Sequence, residues 1–181
     1  MGEKIPVQRA DGKYDSLPHT ISDFSFINQN GQTITQKDVE GKIYVADFFF
    51  THCPTICPKV KKQMQRVYEQ YKNEERFTML SHSIDTRNDT VARLAWYADK
   101  LKIQAPRWHL LTGDKDAIYK IAYDYLLTAL EDKDAPGGFD HSGSLALVDG
   151  KRRIRGMYDG LDPASMDKLM LDIATLLKES E

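Results

Sequence analysis

Ile43-Tyr44-Val45-Ala46-Asp47-Phe48-Phe49-Phe50 runs straight into Thr51-His52-Cys53-Pro54-Thr55-Ile56-Cys57-Pro58. The first eight residues are almost continuously β-branched or aromatic, the pattern of a central strand covered on both faces. After Pro58, residues Val60, Met64, Val67, Tyr68 and Tyr71 recur at helical spacing. The two cysteines therefore sit at a strand-to-helix junction. Four residues apart, their sulfurs leave one face of a helix and stay close even in a turn. Pro58 fits the first helical position, which would set Cys57 against the positive end of the helix dipole and favour thiolate. Thiolate is both the nucleophile of disulfide exchange and a soft ligand for Cu(I).

Upstream of this stretch, residues 1–20 carry no periodicity and read as an arm or linker, leaving 21–181 as one domain. Asp23-Phe24-Ser25-Phe26-Ile27 alternates, Asn30-Gly31 is a strong hairpin signal, and Thr33-Ile34-Thr35 resumes, predicting a small β-hairpin. Downstream, Phe77 to Asp85 reads as a second core strand, and Thr90 to Leu101 as a capped helix. Trp108 to Leu111 is a short strand and Asp114 to about Leu127 a helix, followed by a Gly/Pro/Asp-rich loop through Gly138. Ser144 to Val148 and Ile154 to Tyr158 flank Asp149-Gly150 as a second hairpin, and Pro163 to Lys178 closes the chain as a helix. This order predicts an α/β domain with a mixed sheet.

Composition narrows the function classes. The 181 residues are 41% hydrophobic and 29% charged, with 25 Lys plus Arg against 27 Asp plus Glu, as in ordinary soluble domains. A net charge of -2 gives no electrostatic case for nucleic acid or an anionic membrane surface. No run approaches the roughly 18 apolar residues of a membrane helix, and Met1-Gly2-Glu3-Lys4 has no apolar signal core, so the expectation is a cytosolic protein or one whose targeting segment was removed. Two cysteines cannot frame a disulfide-rich mini-protein, but a close pair points to redox or metal chemistry.

Two sulfurs alone do not name a metal, and histidine is the natural third donor. His141 follows the Gly137-Gly138 loop and precedes a core strand; His52 adjoins Cys53 but points away from it if strand geometry persists. Here the motifs converge. Phe50-Thr51-His52-Cys53-Pro54-Thr55-Ile56-Cys57-Pro58, then Ser83-Ile84-Asp85 with Asp89-Thr90, Leu111-Thr112-Gly113, and Asp140-His141-Ser142 with Asp149-Gly150 resemble, in that order, the Sco/SenC family. The resemblance runs from about residue 20 to the C-terminus. It implies a thioredoxin-like fold, a mixed central sheet flanked by helices, here with the N-terminal β-hairpin as an insertion. It also implies copper, Cu(I) or Cu(II), held by Cys53, Cys57 and His141, with Cys53 and Cys57 also redox-active. The implied task is maturation of the binuclear copper centre of cytochrome c oxidase, with its copper-bearing subunit as partner and another copper donor or a thiol reductant upstream. The implied location is extracytoplasmic, on the outer face of the bacterial plasma membrane, with a membrane anchor in the full-length protein.

Thr86 and Asn88 depart from the family's usual proline and basic residue, in a loop and not at the ligands. Asp85 matches a family aspartate and is assigned an outer-shell role, orienting His141 or supplying charge. The same two cysteines also suit a thiol-disulfide oxidoreductase that reduces the cysteines of the copper-receiving subunit, or a redox or copper sensor. CxxxC is not the CxxC redox signature, and no proline directly precedes Ser144 as the thioredoxin cis-proline would. A zinc module lacks a clear fourth ligand. Met64, Met79, Met157, Met166 and Met170 read as core. Lys59, Lys61, Lys62 and Arg66 read as a solvated helix face that could also meet an acidic partner.

Overall fold

The computed structural model describes residues 4–8, 14–18, 20–127 and 129–180, with the backbone alone at 4–8, 14–18, 129, 130, 140 and 141. β1 (Lys4–Gln8) and β2 (Tyr14–Pro18) pair antiparallel as a separate two-stranded ribbon. The expected hairpin is β3 (Ser25–Asn28) with β4 (Thr33–Thr35). The Asn28 carboxamide oxygen accepts from the Asn30 and Gln32 backbones, closing the turn at Gly31, whose φ is +74°.

β5 (Ile43–Phe49) is buried along its whole length, as its unbroken apolar sequence requires. α1 (Ile56–Tyr71) follows it and returns over the sheet, burying Cys57, Val60, Met64, Val67, Tyr68 and Tyr71. β6 (Phe77–Ser83) is likewise buried throughout. α2 (Val91–Leu101) begins where the Thr90 hydroxyl accepts from the Arg93 N–H, satisfying one of the donors a helix start leaves open. β7 (Trp108–Thr112) leads to α3 (Lys115–Asp124), which the Asp114 carboxylate caps. α3 ends three residues short of the expected Leu127, at Asp124.

The predicted loop through Gly138 contains strands. β8 (Ala129–Glu131) and β9 (Phe139–His141) pair antiparallel, with Ala129 opposite His141. β10 (Ser144–Val148) and β11 (Ile154–Asp159) form the second hairpin, and α4 (Pro163–Glu179), capped by Asp162, closes the chain.

The main sheet has seven strands in the order β11-β10-β5-β6-β7-β3-β4. β5, β6 and β7 run parallel; β10, β11 and β3 run against their neighbours. This is the mixed, helix-flanked, thioredoxin-like α/β architecture that the sequence predicts, with the β3–β4 hairpin added to one edge of the sheet. Met64, Met79 and Met166 are fully enclosed, while Met157 is partly exposed on the edge strand, which departs from its core assignment. The C-terminal ends of β5 and β6 open on one edge, the usual place for a site in an α/β sheet.

Candidate metal centre

Where β5 ends, the chain must turn without leaving polar backbone groups unpaired. Cys53 N–H donates to the Phe50 carbonyl at 3.2 Å. The fully buried Asp89 carboxylate accepts from Thr51 N–H at 3.0 Å, Thr51 Oγ1 at 2.6 Å and Ser83 Oγ at 2.7 Å, fixing the turn to the end of β6. Arg93 Nε donates to Thr51 Oγ1 at 2.9 Å from the first turn of α2.

α1 starts at Ile56, so Pro58 occupies the third helical position and not the expected first. The ring is tolerated because the first four N–H groups of a helix have no partner within it. Cys57 lies in this first turn, 3% exposed, and Cys53 in the preceding turn, 7% exposed. The two thiols share a hydrogen bond. That bond, together with burial, pushes the Cys57 thiol up, against a hydrogen bond from the Phe50 backbone and the positive charge of Lys61. At Cys57 the thiol contact and burial oppose the preference for thiolate that a helix start confers.

The side chain of His141 lies outside the described residues. Its backbone belongs to β9, and that strand is tied to the cysteine segment on both sides. The Phe139 ring packs on Phe50 with centroids 5.0 Å apart. At Gly137, whose φ is +80°, an added Cβ would come within 2.6 Å of the Phe50 ring and 3.4 Å of Pro54 Cδ. At Gly143, φ +71°, it would lie 3.3 Å from Val60 and 3.5 Å from Ile56 on α1. Glycine at both positions lets the strand approach the start of α1 closely.

Asp85 is buried at the end of β6, and both its oxygens accept from Asn88 Nδ2, at 3.1 and 3.0 Å. With Asp89 and the exposed His52 it forms a group whose donor atoms lie within 4.8 Å of one another. His52 Nδ1 lies 3.4 Å from Thr51 Oγ1, in keeping with a loop-holding role. The basic cluster needs correction. Lys61 is 1% exposed and paired with Asp47, so only its neighbours face solvent. Two sequence signals pointed there: Asp47 interrupts an apolar strand, and Lys61 falls on the buried stripe of α1, four residues after Cys57.

Two thiols in mutual contact at a helix start, with a histidine-bearing strand held to the same segment through Phe50, suit a soft metal ion by donor chemistry. The family model for SCO1/SenC matches residues 12–178. The chain belongs to the SCO1/SenC family. Three solved Sco structures resemble it. A SCO1/SenC family lipoprotein from Bacillus anthracis has 28% identity and a TM-score of 0.80, covering 89% of this chain and 96% of that one. BsSco, described as having a disulfide switch and as a member of the Sco family of cytochrome c oxidase assembly proteins, has 26% identity and a TM-score of 0.76 over 90% and 95%. Arabidopsis thaliana ScoI, solved with copper bound, has 25% identity and a TM-score of 0.70 over 85% and 98%. In this Sco/SenC chain no helix among the described residues is long and apolar enough to cross a membrane.

Proposed function

We propose that this chain is a copper metallochaperone for cytochrome c oxidase assembly, holding copper between the Cys53 and Cys57 thiolates and the His141 imidazole. The observation that carries the reading is the Cys53–Cys57 thiol pair in mutual hydrogen bonding beside the strand of His141. Family membership and the copper-bound Arabidopsis relative support it. Two thiolates and one imidazole suit trigonal Cu(I), and a further donor would complete a tetragonal Cu(II) site. Asp85, close to His52 and next to the turn, supplies charge in the outer shell. The partner is the copper-bearing oxidase subunit, with another copper donor or a thiol reductant preceding it. The lipoprotein relative supports an extracytoplasmic site of action at the membrane.

Thiol and imidazole ligands must lose their protons to bind, and the upward push on the Cys57 thiol adds to this, so copper affinity falls as pH drops. The thiol contact also supports a second reading, since the two sulfurs are placed to close a disulfide and reduce a partner's cysteines. One experiment separates the two. Copper-loaded protein is mixed anaerobically with the metal-free soluble domain of the copper-bearing subunit, its cysteines reduced, and copper is followed through separation of the two proteins. Transfer supports the chaperone. Retention of copper in that mixture, with the metal-free dithiol reducing a second sample of the acceptor prepared with its cysteines as a disulfide, supports the reductase.

A further inference from the structure

A buried ion pair lines the same small pocket as Cys57, and the ligand set above makes no use of it. Lys61 follows Cys57 by one helical turn, so both side chains leave α1 on the same face. Its Nζ lies 2.6 Å from Asp47 Oδ2 on β5 and 3.0 Å from Ser81 Oγ on β6. Ser81 in turn donates to the other Asp47 oxygen and accepts from Trp108 Nε1 at 2.9 Å. The ammonium sits 4.3 Å from the Phe49 ring centroid. Lys61 and Asp47 are 1% and 2% exposed, and both line one small pocket with Cys57, Phe49 and Gly143.

Stability alone gives no reason for this arrangement. Desolvating two ions usually costs more than their attraction returns, and apolar side chains of similar volume would pack at least as well. The charge of the metal site does give one. Two thiolates around Cu(I) leave one net negative charge, whereas around Cu(II) they leave none, and a neutral imidazole changes neither sum. A buried negative charge is costly unless a positive charge stands near it.

We propose that Lys61, clamped by Asp47 and Ser81, is a positioning residue whose ammonium, the positive end of this buried pair, lies on the Cys57 face of α1 and biases the copper site toward Cu(I). This rests on the dithiolate copper site proposed above. The test is the ratio of Cu(I) to Cu(II) affinity, each measured anaerobically on the whole chain by competition with a chromophoric chelator. The variants are Asp47→Asn, which leaves the ammonium un-neutralised, and the double change Lys61→Met with Asp47→Asn, which removes both charges while keeping the volume filled. The ratio should rise in the first and fall about tenfold in the second. A role in packing alone would weaken both ions in proportion, and a ratio within about twofold of wild type in the double variant overturns the proposal. The double variant leaves no unpaired buried ion, so it decides the question even if the single variant does not fold. A wild-type chain that binds neither ion overturns the copper site and this inference together; an unchanged ratio in a copper-binding chain overturns only the inference.

Discussion

His82 is fully enclosed, with Phe48 stacked on it at 4.8 Å and Phe26 meeting it edge-on at 5.6 Å. Its Nδ1–H donates to the Asp47 carbonyl at 3.1 Å, and Nε2 has no hydrogen-bond partner among the described residues. His109 accepts from Asn28 Nδ2 at 3.1 Å. Burial pushes both down to about 4, against about 6.5 in an unfolded chain. Between these values the unfolded state binds more protons, so stability is present above about pH 6.5 and is lost as pH falls toward 4. The loss is roughly 3 kcal/mol for each histidine. Urea unfolding at steps from pH 7 to pH 4 should show this, and His82→Phe should flatten the slope by about one proton; an unaltered slope contradicts the account. At this scale the cysteine pair was legible because short-range spacing alone places it. Lys61 was not, because a lysine among lysines reads as solvated, and only its position on the apolar stripe of α1, opposite Asp47 on β5, says otherwise.

The element on which the proposed site depends most is the β8–β9 hairpin, since it carries His141 and lies outside the main sheet. Its hold on the cysteine turn runs through Phe139 on Phe50 and through the close approach at Gly137. Gly137→Ala adds a methyl that meets the Phe50 ring in a left-handed backbone conformation costing about 1–2 kcal/mol. The metal-free fold carries this strain, so its urea midpoint should fall, and copper affinity should fall about tenfold as the hairpin shifts from the cysteine turn. Gly138→Ala, equally left-handed but facing open space, should cost less affinity, and equal losses at the two positions would contradict the contact argument. Long elements such as β5, α1 and α4 were readable from periodicity. β8 and β9 were not, because three-residue strands carry no alternation and a Gly/Pro/Asp-rich connection reads as loop.

Across the whole molecule, the parallel strands β5 and β6 bring the start of α1, the Asp85–Asp89 turn and the β9 strand to one edge of the sheet. The strand-helix alternation predicted this class of sheet, while the neighbour order, with β3 beside β7, depends on long-range pairing that spacing does not reveal. In the proposed site the metal bridges α1 and the β8–β9 hairpin, so it would bind the folded chain and not the separated elements. At about 100 times its dissociation constant it should add roughly 2.7 kcal/mol, a rise of about 5–10 °C in Tm for a chain of this size. Calorimetry with and without Cu(I) measures it, and a shift retained by Cys57→Ala would place the metal elsewhere.

The most direct test of the central claim is anaerobic titration of the reduced protein with Cu(I) and Cu(II), beside Cys53→Ala, Cys57→Ala and His141→Ala, read by stoichiometry and thiolate-to-copper absorption. The account predicts one copper per chain in the wild type, with binding lost or the spectrum altered in all three variants. Copper held with the same affinity and spectrum by His141→Ala, or no tight copper binding by a chain whose dithiol is active, would contradict it.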